Sequence, residues 1–392
     1  MFQMIEEFLG RYPGFFERME VLITPEVAFR VFQQLADTYA PTLTARYTRG
    51  LTIQAILQEM KAVGSIRENI DLDLNFRRTG NVSISLGTKE CKPIWAFAHL
   101  DNISYLTGPK VNSLYPLTAF HEPKISDGER DGIALGYDGA SQTLKTIAEG
   151  TIITRNAGER SEFRTEVADL PLATRVVFQT AASWDRNTGL LYGSVDDAFG
   201  CAALVLSAVT LSDYDVNAII MFTDEEEGVV SVGNSAFARG SRRVLSGTAP
   251  AELPAIISVT DIHDMIPEER RHGKVIDVPG CGSGALFAGF AGGTRGGVTP
   301  PNVLAAIREL AGFSTNRGIP LTENPSYISR SDCVSAMMAT QNVVLIGFPG
   351  AYSHFDKTPR AHVDDLVTLS KSLCVLLAIA QSPGWRRKHL IE

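Results

Sequence analysis

The hydrophobic and polar positions change their spacing several times within the first hundred residues. After Thr24-Pro25-Glu26, apolar residues recur three or four positions apart as far as Tyr39. This pattern predicts a helix, because threonine can cap it, proline suits its first position and glutamate favours its positive end. A second helix is predicted for residues 51–60, and alternation over residues 81–86 predicts a strand. The apolar run 93–98 is typical of a buried strand, since it is too short for a buried helix.

Short alternating stretches replace the helical spacing over about residues 105–190. Residues 151–154 and 175–180 are examples, and turn residues are frequent between such stretches. This pattern is typical of a small all-β unit, which we interpret as a barrel inserted into a larger domain. We therefore expect a main domain formed by residues 1–105 and 191–392, with residues 106–190 as an inserted β-barrel-like domain.

Strands and helices alternate in the remainder of the chain. The predicted helices are 198–211, one marked by apolar positions from 303 to 310, and 363–379; the predicted strands are 218–222, 255–259 and 343–346. This alternation indicates a mostly parallel sheet covered by helices on both faces. The predicted fold class is α/β, with a mixed, mostly parallel sheet, flanking helices and an inserted small β-barrel.

The composition is that of an ordinary globular protein. Of the 392 residues, 44% are hydrophobic and 20% are charged, which argues against wholesale disorder. The net charge of −8 argues against nucleic-acid binding, which needs a basic surface. The five cysteines form no C-x-x-C pair, so neither a disulfide framework nor a cysteine-rich zinc site is predicted.

The sequence contains no segment that predicts contact with a membrane. No window of 18 apolar residues exists. The start, MFQMIEEFLGRYPGFF, carries two adjacent glutamates and lacks the basic region of a signal peptide. We therefore expect a soluble, cytoplasmic protein with neither a membrane nor a nucleic acid as a partner.

Residue types that bind metals follow four of the predicted strands. His99-Leu100-Asp101 follows residues 93–98, Asp224-Glu225-Glu226-Glu227 follows 218–222, Asp261 follows 255–259, and His354 follows 343–346. A fifth group, Asp196-Asp197, directly precedes the helix 198–211. Because ligands of open α/β sheets bind beyond the carboxyl ends of the strands, we expect these side chains to meet at one edge of the sheet.

Each group taken alone has an ordinary structural explanation. An acidic run is usually a solvated face, Asp196-Asp197 could cap a helix, and a lone His-x-Asp is more often a surface pair. Together they fit a site for two divalent cations, which lie roughly 3.5–4 Å apart in such sites and need one bridging carboxylate with terminal histidine or carboxylate ligands. Nitrogen and oxygen ligands suit zinc, cobalt or manganese. Of two adjacent glutamates, one can bind metal while the other acts as general base.

The order His-x-Asp, Asp-Asp, Glu-Glu, Asp, His resembles that of the co-catalytic metallopeptidases, which have a phosphorylase/hydrolase-like α/β fold. Within them, the chain is most similar to the tetrahedral aminopeptidases, also called the glutamyl-aminopeptidase family. Ala98-His99-Leu100-Asp101 matches that family's first-ligand motif, and residues 174–200 are similar to its return from the barrel into an Asp-Asp helix start. The long gap between His99 and Asp196 also fits, since related single-domain aminopeptidases lack the insertion.

The resemblance implies a role for each residue of the set. His99 and Asp261 would each bind one of the two ions, Asp196 would bridge both, and Glu226 and His354 would complete the second ion. Glu225 would be the general base, and Asp101 would orient His99, as a carboxylate partner of a ligating imidazole does. The register of the glutamates rests on Gly228, because the family pattern is Glu-Glu-x-Gly. A register with Asp224 as base and Glu225 as ligand stays open.

The resemblance also implies an activity, cofactors and partners. The activity would be that of a metallo-aminopeptidase, a hydrolase that removes N-terminal residues from small peptides with a water held between two divalent ions. Zinc is the expected metal, with cobalt or manganese as alternatives, and the protein would form a homo-oligomer.

Three departures from the family pattern indicate a divergent member. Asn102 stands where the family usually has an acidic residue, and Ala198 stands where arginine is common. Ser329-Arg330-Ser331-Asp332 occupies the place of a Gly-Gly-Thr-Asp segment. The proposed ligands are intact, so these departures bear on substrate preference and on the oligomer.

Three other functions stay open. A carboxypeptidase or N-acyl-amino-acid deacylase could use the same residues, although those relatives usually carry their insertion after the Glu-Glu motif, whereas the large insertion here precedes Asp196. A catalytically silent binding or scaffold protein could keep the fold, but nothing would oblige it to hold these like charges together. A nucleotide-binding α/β protein is disfavoured because no G-x-G-x-x-G or P-loop follows a strand; the glycine-rich segment 289–297 fits a loop beside the site.

Overall fold

A computed structural model of the chain describes residues 2–66, 70–120, 125–228, 237–264, 279–291, 296–327, 329–355 and 357–391. The α-helices within these ranges are α1 (Gln3–Leu9), α2 (Phe15–Leu22), α3 (Pro25–Ala36), α4 (Arg49–Ala62), α5 (Val195–Leu211), α6 (Arg239–Ser246), α7 (Pro301–Thr315), α8 (Cys333–Ala339), α9 (Val363–Ile379) and α10 (Pro383–His389). Short 3-10 helices lie at Ala45–Tyr47, Phe76–Arg78 and Pro250–Glu252.

The strands form one large mixed sheet, one closed barrel and two small sheets. They are β1 (Ile70–Asp73), β2 (Val82–Leu86), β3 (Ile94–His99), β4 (Tyr105–Thr107), β5 (Tyr115–Ala119), β6 (Gly128–Asp138), β7 (Thr143–Arg155), β8 (Arg160–Arg164), β9 (Arg175–Phe178), β10 (Ser183–Trp184), β11 (Leu190–Tyr192), β12 (Ala218–Thr223), β13 (Ile256–Asp264), β14 (Ala285–Ala288), β15 (Phe290–Ala291), β16 (Gly297–Val298), β17 (Leu321–Glu323), β18 (Val343–Gly350) and β19 (Arg360–His362). The small sheets are β10-β11-β19 and β15-β16.

The large sheet has eight strands in the order β1-β2-β12-β3-β13-β18-β14-β17. The four central strands, β12, β3, β13 and β18, run parallel, while β2 and β14 pair with this group in antiparallel orientation. The carboxyl ends of the four central strands therefore lie at the same edge, which is where ligands bind in open α/β sheets.

Both faces of the large sheet are covered by helices. On β3, Ile94, Ala96 and Ala98 pack into the core beneath α5 and α9, while Trp95 and Phe97 pack into a second core that includes residues of α6 and α8. A strand buried on both faces has no polar side, which explains why residues 94–98 of β3 are a continuous apolar run in the sequence.

The closed barrel is formed by β4-β5-β8-β7-β6-β9 and lies between β3 and α5 in the chain. Tyr105, Tyr115, Phe163 and Phe178 are buried in its interior. The barrel therefore has a hydrophobic core of its own, separate from the two cores of the large sheet.

The structure confirms the predicted fold class, a mostly parallel sheet with flanking helices and an inserted barrel. Helix α9 has the predicted bounds, and α5 begins three residues earlier than predicted. Strand β13 continues to Asp264, because residues 260–264 keep pairing with β18 although their side chains are mostly polar. The predicted domain boundaries stay predictions. No described helix is long and apolar enough to cross a membrane.

Candidate metal centre

The four parallel strands bring the predicted ligands to one edge of the sheet. His99 is the last residue of β3, Asp224 directly follows β12, and Asp261 lies three residues before the end of β13. Asp196 is the second residue of α5, and His354 follows the end of β18 by four residues. The side chain of His354 is 26% exposed, whereas the other four residues are buried.

His99 lies at the centre of the acidic groups. Its Nε2 is 2.9 Å from Oδ1 of Asp196, 3.9 Å from Oδ1 of Asp261 and 4.0 Å from Oε2 of Glu226. The side chain of His99 is only 1% exposed, so these contacts form in the interior. An imidazole nitrogen and three carboxylates therefore meet in a small, water-poor volume.

Two sets of three residues have the spacing of metal ligands. One ligand atom from each of His99, Asp196 and Glu227 lies within 4.8 Å of the other two, and the same holds for His99, Asp197 and Asp261. The two sets share His99, so they form one continuous cluster.

Two carboxylate oxygens in the cluster are buried without a hydrogen bond from the part of the chain that the structure describes. Oε1 of Glu226 and Oδ2 of Asp197 are buried, and neither has a hydrogen-bond partner among the described residues. Because buried polar atoms are normally hydrogen-bonded, these oxygens fit a site that a cation completes. The donor set of imidazole nitrogens and carboxylate oxygens fits zinc, cobalt or manganese.

Burial and mutual repulsion perturb the acid groups of the cluster. Burial raises the pKa of Glu226 and of Glu227 well above the usual range, and it raises the pKa of Asp261 to about 8. Burial acts on Asp196 in the same direction, but the hydrogen bond and charge of His99 leave the pKa of Asp196 below its usual value. Without a cation, the cluster therefore holds protons at neutral pH. A bound cation would reverse that preference and favour the ionised carboxylates.

Asp101 connects His99 to the acidic segment. Nδ1 of His99 lies 3.0 Å from the backbone carbonyl oxygen of Asp101, which can only accept a hydrogen bond, so Nε2 is the nitrogen that faces the carboxylates. The side chain of Asp101 accepts hydrogen bonds from the backbone N–H groups of Glu226 and Glu227, at 3.0 and 3.3 Å, and from the hydroxyl of Thr42 at 2.8 Å. Asp101 therefore fixes the position of the imidazole relative to both glutamates.

The side chain of Glu225, the predicted general base, is not part of this cluster. Its carboxylate forms ion pairs with Arg243 and with Arg239, whose Nη1 lies 3.6 Å from Oε1. The backbone of Glu225 has a positive φ of 63°, and the chain turns there so that the next two side chains enter the cluster. The structure thus brings Glu226 and Glu227 into the cluster and places Glu225 beside the two arginines, and which glutamate binds metal stays a prediction.

His354 approaches the cluster from the loop after β18. Its Nε2 lies 3.7 Å from Oε2 of Glu227, and its charge contributes to lowering the pKa of Asp196. His354 is thus near Glu227, to which the sequence analysis assigned no role. The predicted roles of His354 and Glu226 as ligands of one ion stay predictions.

Asp224, the base of the alternative register, has a structural role. Its Oδ1 accepts hydrogen bonds from the backbone N–H groups of Leu43 at 2.7 Å and Glu225 at 2.9 Å, and its Oδ2 accepts one from Ala45 at 2.9 Å. Burial raises the pKa of Asp224 to about 7. This carboxyl group anchors the segment around Leu43 to the start of the acidic segment.

A buried arginine stands behind the cluster. Arg49 is 0% exposed and donates hydrogen bonds to the carbonyl oxygens of Leu35 and Leu100, at 2.9 and 2.8 Å, and to Oγ of Ser194 at 3.2 Å. Burial lowers the pKa of Arg49, whereas the nearby acidic groups, among them Asp197, raise it. Its positive charge partly offsets the negative charge of the cluster.

Comparison with known proteins identifies solved structures that are similar to this chain. No protein-family model matches the sequence, and no curated protein matches it. The aminopeptidase APDkam598 from the archaeon Desulfurococcus kamchatkensis matches with a TM-score of 0.70 and 15% identity, covering 93% of this chain and 98% of that chain. A TET aminopeptidase from a marine sediment Thaumarchaeota archaeon matches with a TM-score of 0.69 and 14% identity, covering 92% and 99%. The Pyrococcus horikoshii TET1 peptidase, which can assemble into a tetrahedron or a large octahedral shell, matches with a TM-score of 0.63 and 16% identity, covering 89% and 98%.

The chain has the fold of the TET aminopeptidases. The resemblance predicted from the motifs is thereby confirmed at the level of the fold. The match covers almost the whole of each solved TET structure, so it includes both the large sheet and the barrel.

One of the predicted departures has a clear role within this TET fold. Nδ2 of Asn102 donates hydrogen bonds to Oγ of Ser194 at 2.7 Å and to the backbone carbonyl oxygen of Asp196 at 3.1 Å. A carboxylate at this position would have no hydrogen to donate. The asparagine therefore supports the start of α5, including the backbone of Asp196, in a way that an acidic residue would not.

Glu227 and Asp197 are the members of the cluster that sequence reasoning missed. Glu227 was not predicted because the Glu-Glu-x-Gly pattern sets the register from Gly228 and so assigns Glu227 to the variable position between the glutamates and the glycine. Asp197 was identified only as the neighbour of Asp196 in the Asp-Asp pair. The third glutamate in the run was the one available signal that the register could extend further.

Proposed function

We propose that the protein is an aminopeptidase that uses two divalent metal ions to remove N-terminal residues from peptides. The observation that carries this proposal is the buried cluster of His99, Asp196, Asp261, Glu226 and Glu227 at the carboxyl edge of a sheet with the TET fold. A set of buried acids around one imidazole is costly without cations, and a stable scaffold alone has no need of it.

The positions of the side chains support one assignment of ligands. His99 and Asp261, whose Nε2 and Oδ1 atoms are 3.9 Å apart, would hold one ion. His354 and Glu227, whose Nε2 and Oε2 atoms are 3.7 Å apart, would hold the other. Asp196, which lies 2.9 Å from His99 and is influenced by the charge of His354, would bridge them. This assignment keeps the predicted roles of four residues and moves the glutamate ligand from Glu226 to Glu227.

Glu226 is the general base in this proposal. Its Oε2 lies 4.0 Å from Nε2 of His99, and its Oε1 has no hydrogen-bond partner among the described residues, so one oxygen is available to accept a proton. Glu225 is unsuited to the role because its carboxylate is engaged by Arg243 and Arg239.

The ions and the side chains have different roles in the proposed reaction. When bound, the two cations supply positive charge that polarises the scissile carbonyl group and acidifies the attacking water. Glu226 accepts the proton of that water and returns it to the leaving amine. Asp101 keeps Glu226 and His99 in fixed relative positions during both proton transfers, because it binds the backbone of Glu226 and the ring of His99.

The metal and the assembly are part of the same proposal. Zinc is the proposed ion, with cobalt or manganese as alternatives, since all three accept nitrogen and oxygen ligands. A cytoplasmic homo-oligomer is proposed; its assembly is supported by the TET1 peptidase of the same fold, which can assemble into a tetrahedron or a large octahedral shell. Light scattering coupled to size-exclusion chromatography tests the assembly: a mass near that of one 42.5 kDa chain would contradict it.

The activity is tested with three sets of matched substrates and the purified protein loaded with zinc, cobalt or manganese. The sets are aminoacyl amides with a free N-terminus, the same compounds acetylated at the N-terminus, and peptides with a free or amidated C-terminus. We expect cleavage of substrates with a free N-terminus regardless of the C-terminus, and bound metal by elemental analysis. Cleavage only of acetylated compounds would indicate a deacylase, and a need for a free C-terminus would indicate a carboxypeptidase. Absence of both metal and turnover would indicate a binding or scaffold protein.

A further inference from the structure

The loop that carries His354 has an unusual backbone. Tyr352 and Phe355, on either side of it, have positive φ angles of 64° and 61°. Residues with side chains rarely adopt this left-handed region, because it is sterically unfavourable for them. The backbone N–H of Phe355 also donates to the carbonyl oxygen of Tyr352, at 2.9 Å, which closes a tight turn around His354. Contacts with the rest of the fold must therefore maintain this conformation.

On one side, the loop is held by the barrel. The ring of Phe355 stacks on the ring of Phe178 with the centroids 5.0 Å apart and the planes at 22°. Phe178 is the last residue of β9, is buried, and contacts the ring of Tyr105 in the barrel interior at 5.8 Å. Phe355 is thus an extension of the barrel core, although it belongs to the chain that follows β18.

On the other side, the loop is held by the large sheet. Oγ of Ser353 donates a hydrogen bond to Oδ2 of Asp264 at 2.9 Å. Asp264 is the last residue of β13, and it pairs with Gly350 at the end of β18. The residues directly before and after His354 are therefore fixed to different parts of the protein.

His354 needs this support more than the other ligand of the same type. Its side chain is 26% exposed and lies on a loop, whereas His99 is 1% exposed and ends a buried strand. A ligand on a loop binds metal weakly unless its neighbours hold it in the bound geometry. The outer partners of metal ligands commonly supply that geometry.

We propose that Phe178 and Asp264 position His354 as a metal ligand by holding the residues on either side of it, so that the inserted barrel directly controls binding of the second ion. This inference rests on the proposed function, because it takes His354 and Glu227 as ligands of that ion. Phe178, Phe355, Ser353 and Asp264 are positioning residues, which act only through His354.

The test is a titration of the chelator-treated full-length protein with Co²⁺, followed by the visible absorption of bound cobalt and by elemental analysis. The wild-type protein should bind two ions. Phe355→Ala should bind the first ion as tightly as the wild type and the second about 10- to 100-fold more weakly, as loss of an outer partner does. His354→Ala gives the largest expected loss of affinity for the second ion, since this variant should bind only one ion tightly.

Rescue and control variants separate positioning from general damage. Phe355→Tyr keeps the stacked ring and should restore binding of the second ion. Tyr137→Ala removes a different aromatic contact of the barrel, with Tyr47 at 5.3 Å, and should bind both ions normally. If Phe355→Ala does not fold, Ser353→Ala removes only one oxygen and should show the same selective weakening of the second ion.

Three results would overturn the inference. They are normal binding of both ions by the folded loop variants, equal weakening of both ions, and the same selective loss in Tyr137→Ala. In each case the wild-type protein would still bind two ions, so the proposed function would stand. A wild-type protein that binds no Co²⁺ would instead overturn the proposed function, and this inference with it.

Discussion

The carboxylate of Asp101 accepts a hydrogen bond from the backbone N–H of Glu226, with 3.0 Å between Oδ1 and the nitrogen. The same residue bonds to the ring of His99 through its backbone carbonyl oxygen. The first imidazole of the cluster and the proposed general base are therefore held by one aspartate. Asp101 therefore links the end of β3 to the acidic segment that follows β12.

Asp101→Asn should lower activity without unfolding the protein. The amide side chain keeps the shape of the carboxylate, but it has one acceptor oxygen in place of two, so it cannot bond to Glu226, Glu227 and Thr42 in the same way. We expect kcat to fall by about 10- to 100-fold, as is typical for loss of an outer partner of a metal ligand. Asp71→Asn, which changes an exposed carboxylate on β1, is the matched control and should retain wild-type kcat. Equal kcat values for both variants would show that Asp101 does not position the site.

The metal-free protein should lose stability as the pH rises. The pKa of Asp261 is about 8 in the folded chain, because burial raises it, and about 3.9 in an unfolded chain. A raised folded-state pKa means that the contribution of this group to stability is complete below about pH 4 and is lost as the pH rises to about 8. Asp261→Asn has no proton to lose, so the wild-type melting temperature should fall relative to that of the variant over this interval.

Differential scanning fluorimetry of chelator-treated wild type and Asp261→Asn measures this effect. The difference in melting temperature between the two proteins should change steadily from about pH 5 to about pH 8. Added zinc should remove the deficit in the melting temperature of the wild type near about pH 8. A difference that stays constant across the whole range would contradict the assignment of a protonated, buried Asp261.

Arg49→Lys should destabilise the protein. A lysine ammonium on a different stem cannot reproduce the planar contacts of the guanidinium with Leu35, Leu100 and Ser194, so buried carbonyl oxygens lose their partners. We expect the free energy of unfolding to fall by about 2–4 kcal/mol. Arg30→Lys, which changes a half-exposed ion pair with Glu59, is the matched control and should change it by less than about 1 kcal/mol. Denaturant titration of both variants measures the free energies of unfolding. Equal unfolding midpoints for the two variants would exclude a structural role for the buried charge.

The parts of the fold that the sequence predicted are those with strong local patterns. Strand β3 was recognisable because both of its faces are buried, so it contains six consecutive residues without a solvent-facing position. Helix α9 was recognisable because its apolar residues continue for almost five turns, and its start and end match the prediction. The proximity of His99 and Asp261 could be expected as well, because the carboxyl ends of parallel strands share an edge.

The register of the glutamates could not be predicted in the same way. It depends on the positive φ of Glu225 and on an ion pair with Arg243, which is 18 residues further along the chain. The role of the segment around Leu43 was also invisible, because it contributes backbone N–H groups to Asp224 and no characteristic side chain. Contacts between distant segments, such as Phe178 with Phe355, leave no local pattern at all.

The central claim is that Glu226, and not Glu225, is the general base. The most direct test compares turnover and bound metal in Glu226→Gln and Glu225→Gln, two neighbouring and chemically identical changes. We expect Glu226→Gln to bind both ions while its kcat falls by about 10²- to 10⁴-fold, the usual loss when a general base is removed. Glu225→Gln should retain most of its activity, since its carboxylate pairs with partly exposed arginines. Loss of turnover in Glu225→Gln together with wild-type turnover in Glu226→Gln would contradict the account.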